Sequence, residues 1–566
     1  MLIHDSTGSL LISSLYNVVV ITFGKFVSPK KPRMKTIKFC LLFFGTLLTL
    51  QTKAQDSLRL MIESMGAASV IDKALPHWMA FNRYGFLPTG ETGGYARLEI
   101  KRPFSIGENF KISTEFDGIA NSEELFVHEA YVNLQWKNWS LHIGFNEVNN
   151  LYFPDDLSTG HLFASRNART LPKVTLGVLK YTDVPWTKGY VQYRGALSQG
   201  ILESDRPVSN ALYHEKYASI RTRKLPVNIQ VGFMHNALFG GEFNGIKQST
   251  NYFEVFLGRQ SSTSNVNGDM VNAAGAHFGI FDYGVSLETT EADIDVYYHQ
   301  PWTDGSSLKD WSAENKDYML GIHVKLKNQP WLTEILYENI NTIHQSGAGL
   351  PDPMINNVGY NFDELRAIEN YDQFIIDEFG QDVLDRNPPQ GENLTFDEFL
   401  EIIRFETNNN LSYGGRDSYY NNRGFPRGNT YRGLTIGNSL FLTADRLFEL
   451  NGIRAADAEF IVNNRIQAQH IGLKGKIVPL DLDYKMLLTF TRNEGTYAGY
   501  YGGFIGSWAR DRTYFFRDGI NAQYLYLELK KEMETLPITW TGAIGFDQRG
   551  FGNFLAFMGG VQYRIR

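Results

Sequence analysis

The chain has 566 residues, one cysteine, 20% charged and 14% aromatic residues, and a formal net charge of −7 at pH 7. That balance offers no basic surface for nucleic acid, and a single cysteine allows no disulfide framework. The 53 glycines, 39 phenylalanines and 30 tyrosines against 19 prolines suit many short strands better than a helical enzyme.

In chain order, the first signal is for export. Met34-Lys35-Thr36-Ile37-Lys38 is a positive n-region and Phe39–Leu50 an apolar run. Gln51-Thr52-Lys53-Ala54 then puts small residues at the −3 and −1 positions of a cut after Ala54. Residues 34–54 read as a secretory signal peptide, too short to span a bilayer as a mature helix. Residues 1–33 fit no part of it and read as a start-site misassignment or an extra leader, with Met34 as the true start. Cys40 lies at the front of the apolar run and is expected to leave with the signal. Residues 55–76 are expected to form a short periplasmic segment, too small for a plug domain.

No later segment carries about 18 consecutive apolar residues, which excludes a helical membrane protein. The remaining way to cross a bilayer is a closed β-barrel. From residue 94 the chain repeats about ten residues of alternating polarity followed by a break. In Val227–His235, for example, Val227, Ile229, Val231 and Phe233 oppose Asn228, Gln230 and Gly232. In Gln523–Lys530, Leu525, Leu527 and Leu529 oppose Tyr524, Tyr526, Glu528 and Lys530. A soluble β-sandwich also alternates, but these strands are long and the breaks alternate between short and long, the pattern of periplasmic turns and outer loops.

A chain with both ends in the periplasm crosses an even number of times, and its short turns fall only after even-numbered strands. Asn251–Leu257 resembles a strand but breaks this parity, so it is assigned to an outer excursion over 238–274. The same rule requires a crossing before residue 94, and His77–Gly85 is taken as that crossing. The expected crossings are 77–85, 94–103, 110–118, 128–136, 139–147, 172–181, 188–196, 212–222, 227–237, 276–289, 292–300, 317–327, 331–341, 459–475, 482–492, 521–530, 538–547 and 554–565. The fold class is therefore all-β: a transmembrane antiparallel barrel of about eighteen strands over residues 77–566, with long extracellular loops.

One loop stands apart. Residues 350–412 are acidic and punctuated by Pro and Asn, and Phe362–Phe379 and Thr395–Thr407 have helical spacing. Thr395 with Glu398 resembles a capping box. This predicts a small helical insert with a solvated acidic face. Asp385–Gly391 does not keep the oxygen spacing of a calcium loop.

No G-x-S-x-G elbow, P-loop, CxxC or HExxH is present. The 12 histidines show no metal-ligand spacing, so neither a metal nor a cofactor is expected. His128-Glu129, Glu334 and Glu338 can be drawn as acid–base groups, but their strand placement favours packing against the lumen. The outer loops are rich in aromatic and amide residues: Trp302, Asp304, Trp311, Tyr419, Tyr420, Asn421, Asn422, Tyr500, Tyr501 and Trp508. Aromatic faces stack on the C–H faces of sugars while Asn, Asp and Arg bond to hydroxyls. The same residues also suit loop packing or a membrane-interface belt.

Several stretches carry a resemblance to a known family. They include Val127-His128-Glu129-Ala130-Tyr131-Val132, Leu157-Ser158-Thr159-Gly160 with Ser165, Asn167 and Ala168, and Met234–Gly241. They continue with Tyr297-Tyr298-His299-Gln300, Tyr337-Glu338, Gly433–Asn438, His470-Ile471-Gly472 and Thr491–Tyr497. In this order they resemble the Wzi-type capsule assembly family, in the version found in Bacteroidetes. The resemblance implies an eighteen-stranded outer-membrane barrel whose loops help close the lumen. It also implies a lectin-like, non-catalytic role in holding capsular or other surface polysaccharide at the cell exterior. The implied partners are that polysaccharide, outer-membrane lipid and polysaccharide export machinery. A transport pore and an outer-membrane-embedded hydrolase stand as the alternatives.

Overall fold

The computed structural model describes residues 58–106, 109–147, 153–262, 273–303, 315–345, 354–355, 360–361, 365–410, 417–454, 459–501 and 514–565. The signal peptide over 34–54, its cut after Ala54, Cys40 and residues 1–33 lie outside the described residues.

Eighteen strands form one sheet. They are β1 (Arg59–Ile71), β2 (Thr92–Ile106), β3 (Phe110–Asn121), β4 (Leu125–Trp136), β5 (Trp139–Phe145), β6 (Pro172–Asp183), β7 (Val191–Ile201), β8 (Leu212–Thr222) and β9 (Val227–Phe239). The second half comprises β10 (Ala276–Glu288), β11 (Ala292–Trp302), β12 (Tyr318–Leu326), β13 (Glu334–Asn341), β14 (Ile466–Ile477), β15 (Leu482–Asn493), β16 (Ile520–Glu532), β17 (Ile538–Gln548) and β18 (Phe554–Ile565). Sequence neighbours pair antiparallel, and β1 pairs with both β2 and β18, with Met61 opposite Glu99 on one side and Arg564 on the other. That second pairing closes the barrel and removes every edge.

The expected parity holds for the long connections, but two short ones, 122–124 and 549–553, also follow odd-numbered strands. Connections after even-numbered strands are short: 107–109, 137–138, 184–190, 223–226, 289–291, 327–333, 478–481 and 533–537. The long ones follow odd-numbered strands: 72–91, 146–171, 202–211, 240–275, 303–317, 342–465 and 494–519. Along β7, Gln192, Arg194 and Ser198 are buried on the lumen side while Tyr193 and Leu197 stay exposed on the outer face. The exposed aromatics Trp136, Trp139, Trp186, Tyr190, Trp331 and Trp540 all lie at the short-turn rim. There their amphipathic rings form the girdle expected at a membrane–water interface.

The start of the barrel differs from expectation. The expected segment ahead of the barrel, 55–76, contains the first strand instead, since Arg59–Ile71 is part of the sheet. His77–Gly85 is not a crossing: His77–Ala80 is a short buried helix, α1. The strand is hard to see because its two faces differ little. Met61, Met65 and Ala67 are buried on the lumen face, while Ser64 and Gly66 lie exposed on the other. Met65 and Ala67 join an apolar cluster with Trp78, Met79, Phe81 and Tyr84, so the lumen face of β1 is largely apolar, with Glu63 on the same face accepting from Tyr95 Oη.

Asn251–Leu257 is, as parity required, no crossing. Tyr252–Leu257 is a helix, α2, whose first amides are capped by the Asn251 side chain. The insert is helical as predicted, with α3 (Tyr371–Phe379), α4 (Gln381–Arg386) and α5 (Phe396–Asn410). Leu365, Ile375, Val383, Phe399 and Ile403 form a separate small core. The capping box is present, with Thr395 Oγ1 donating to Glu398 Oε2 at 2.7 Å and the Glu398 amide donating to Thr395 Oγ1 at 3.3 Å. Two further loop helices are α6 (Ala444–Asn451) and α7 (Tyr497–Tyr501).

The outer face makes one clear prediction. Val231 is 46% exposed beside Ile220 at 50%. Val231→Arg should cost roughly 2–4 kcal/mol in urea unfolding of the barrel from lipid vesicles. No loss there would mean that this face does not meet acyl chains.

Candidate functional site: a lumen closed by three loop segments

The lumen is filled by three stretches of chain that lie far apart in sequence: 72–91, 153–171 and 417–443. Each carries polar groups into the interior, and the wall supplies their partners.

In the first stretch, all of α1 is buried. The His77 amide donates to Asp547 Oδ2 at 2.7 Å, and the His77 ring stacks 4.8 Å from both Phe81 and Tyr524. Trp78 Nε1 donates to Thr489 Oγ1 at 3.0 Å. His470 Nε2 lies 2.6 Å from the Leu157 carbonyl and Nδ1 lies 2.7 Å from Thr489 Oγ1. A carbonyl only accepts, so Nε2 carries a proton. Arg446 of α6 donates to the carbonyls of Leu75 and Thr89, each at 3.1 Å.

The second stretch holds the motif Leu157-Ser158-Thr159-Gly160, and its centre is Glu338 of β13. Ser158 Oγ and Tyr297 Oη donate to Glu338 Oε1, each at 2.5 Å. The Thr159 amide and hydroxyl both donate to Oε2 at 2.9 Å. Gly160 adopts φ +108°, and a Cβ there would meet the Ser165 side chain at 3.0 Å, so the turn requires glycine.

The third stretch locks onto the second. Asn438 Nδ2 donates to Thr159 Oγ1 at 3.0 Å and to the Gly160 carbonyl. Ser439 Oγ donates to the Thr159 carbonyl at 2.7 Å, and Asn167 Nδ2 donates to Thr435 Oγ1 at 2.8 Å. Leu157, Ser158, Thr159, Gly160 and Asn167 are thus the clamp of the plug.

Several residues expected to touch sugar are packing residues instead. Trp302 is 5% exposed and stacks on His235 at 5.3 Å. Tyr419 is fully buried, its hydroxyl donating to Asp317 Oδ2 at 2.7 Å. The buried Tyr420 hydroxyl donates to the Leu162 carbonyl and accepts from the Asn438 amide. A buried phenol needs such partners, and the loops provide them. Asn421 ties the loop to Ile461 through both amide atoms, and Asn422 accepts from the Gly424 amide. Asp304, Trp311, Trp508 and the side chains of Tyr500 and Tyr501 lie outside the described residues.

The drawn acid–base groups are wall contacts. Glu334 holds His323 at 2.9 Å and Lys474 at 3.3 Å, while His128 faces Glu147 at 3.0 Å. Sequence reasoning missed the loop arginines that lie over aromatic rings. Arg427 sits 5.2 Å from the Phe460 centroid and Arg454 4.4 Å from that of Phe448. No periodicity announces such pairs, because the loops have none.

Two outcomes test the plug. Glu338→Ala leaves four buried donors without their acceptor, a loss of roughly 4 kcal/mol or more at 1–3 kcal/mol per group. Planar bilayers should then record a conductance that the parent barrel lacks, and a variant as closed and as stable as the parent refutes the assignment. The second concerns pH. Burial, then the charges of Arg446 and His470, push the His77 imidazole down to about 3, against about 6.5 in an unfolded chain. The folded value is the lower one, so this group's contribution is complete above about pH 6.5 and is lost as pH falls toward 3. Protease sensitivity of the loops should rise across that window, and His77→Asn should flatten the rise. Identical profiles for parent and variant would dismiss His77 as its source.

Residues 82–352 match the family model described as capsule assembly protein Wzi. No curated protein matches the chain significantly. Among solved structures, the chain is similar to Wzi of Escherichia coli, an outer-membrane protein involved in group 1 capsule assembly and a carbohydrate-binding β-barrel. That alignment has 11% identity and a TM-score of 0.48, covering 95% of this chain and 91% of the other. It is also similar to OccD3 (OpdP) of Pseudomonas aeruginosa, at 9% identity and TM-score 0.42, covering 90% and 91%.

Proposed function

Through residues 82–352 the chain belongs to the capsule assembly protein Wzi family, and we propose that it is an outer-membrane barrel that binds capsular or other surface polysaccharide at the cell exterior without catalysis. It reaches the membrane through the signal peptide cut after Ala54, meets outer-membrane lipid with its apolar flank, and receives polysaccharide from export machinery. The family match carries this reading. The filled lumen favours it over a pore, since Glu338 and the clamp around it close the path that a solute would take. Glu334, Glu338 and His128 each hold a structural partner, which suits wall contacts better than turnover.

Polysaccharide is held by the long-loop rim. Arginines stacked on aromatic faces, as at Arg427–Phe460 and Arg454–Phe448, present a fixed fork of donors to hydroxyls or carboxylates. Asp304, Trp311, Tyr501 and Trp508 belong to the same rim connections and supply further contacts. Deleting the gene should release polysaccharide into the medium, and the intact gene should restore retention. Arg427→Ala, Arg454→Ala and Trp508→Ala should each weaken glycan capture by the purified barrel, the tryptophan by about 1–3 kcal/mol. Unchanged retention in the deletion strain would end this reading.

A further inference from the structure

One cluster in the wall is used neither by the plug clamp nor by the rim. Asp117 of β3 pairs with Glu129 of β4, but the next pair is Gly118 with Val127, so His128 is an extra, bulged residue. Successive strand residues normally point to opposite faces. The bulge turns both His128 and Glu129 inward, where they are 0% and 7% exposed beside Asp117 at 0%. Bulges serve to re-aim side chains in this way. One carboxylate oxygen from each acid and one nitrogen of His128 lie within 4.8 Å of one another.

Other groups hold the three side chains from behind. Arg97 Nε donates to Asp117 Oδ2 at 2.8 Å. The Glu147 amide donates to Glu129 Oε1 at 2.9 Å, and the Glu147 carboxylate faces His128 Nε2 at 3.0 Å. Asp117 Oδ1 and His128 Nδ1 remain buried with no hydrogen-bond partner among the described residues. Arg97 is shared with Glu63 and Glu99, and Lys101 pairs with Glu115. No lysine or arginine among the described residues makes an ion pair with Glu129 or Glu147. Buried carboxylates in this number call for a further positive charge.

We propose that Asp117, His128 and Glu129 form a divalent-cation site that takes a first-row transition ion such as Zn2+. Imidazole with two carboxylates suits that class, whereas Ca2+ and Mg2+ favour oxygen alone. His128 binds through Nδ1, and its Nε2–H donates to Glu147, the arrangement in which an outer carboxylate orients a metal-bound histidine. The rings of Tyr84 and Phe86 cover His128 at 4.6 and 4.7 Å. These rings come from the 72–91 stretch, and Glu147 lies in the connection that leads to Ser158. The ion therefore ties two of the plug segments to the wall.

The test uses the full-length barrel, folded in detergent, stripped with EDTA and titrated with ZnCl2 by calorimetry. The parent should bind about one Zn2+ per chain and gain thermal stability on doing so. Glu129→Gln and His128→Gln should each lower the affinity on the order of tenfold or more, while keeping the heat-modifiable gel mobility of a folded barrel. Glu334→Gln, in a separate wall contact, should bind as the parent does. Absence of saturable binding by the parent overturns the proposal, as does equal binding by parent, Glu129→Gln and His128→Gln.

Discussion

The structure depends on one constraint: in a bilayer core every backbone N–H and C=O must find its partner within the protein. A strand sheet meets it only by closing on itself, and here the closing seam is the pairing of β1 with β18. An even number of antiparallel strands then puts both ends on one rim. Every connection on that rim is short, and all the long ones lie on the other. The outward face must be apolar, and aromatic rings settle where it meets water. Strand count, loop distribution and the tryptophan girdle are consequences of the same unpaired-group penalty.

Closure creates a second problem. A ring of eighteen strands is too wide for its own side chains to fill. The answer is three loop stretches that bring polar groups into the lumen in numbers. Each hydrogen bond is worth only about 1 kcal/mol net, whereas a buried donor left without a partner costs more. Such a network therefore fixes one arrangement more than it adds stability. Glu338 illustrates the point, since four donors from two segments converge on its two oxygens. Removing any one of them leaves the carboxylate in place; removing the carboxylate strands all four.

Much of the barrel was legible in the sequence, because alternation and parity are properties of the chain alone. Parity even rejected Asn251–Leu257, which turned out to be a helix. The first strand was missed for a physical reason. Met65 and Ala67 face an apolar part of the plug, so the polar lumen face that marks other strands is interrupted there. The clamp residues were legible as a motif, but their role was not, because Ser158, Glu338 and Asn438 meet only after the loops enter the barrel. Tyr419 and Tyr420 misled for the opposite reason: a tyrosine that binds sugar and one that pins a loop have the same composition. The triad of Asp117, His128 and Glu129 has no ligand spacing, since a bulge and a cross-strand register assemble it.

The plug and the proposed role fit together mechanically. A solute carrier needs a path, and a hydrolase needs a pocket around a scissile bond; a holder of polymer needs neither. A cavity of about 250 Å³ lies between Pro330, Lys474 and Tyr484, among elements of the short-turn rim rather than the loop rim. On the loop rim, paired rings and guanidinium groups offer shallow contacts instead. A repeating polysaccharide presents the same unit many times, so weak contacts on one barrel, and on neighbouring barrels, add through effective concentration. That addition works only if the contacts are held in place. A lumen packed with interlocked loops supplies this rigidity, and a cation joining Asp117, His128 and Glu129 would anchor the same loops to the wall.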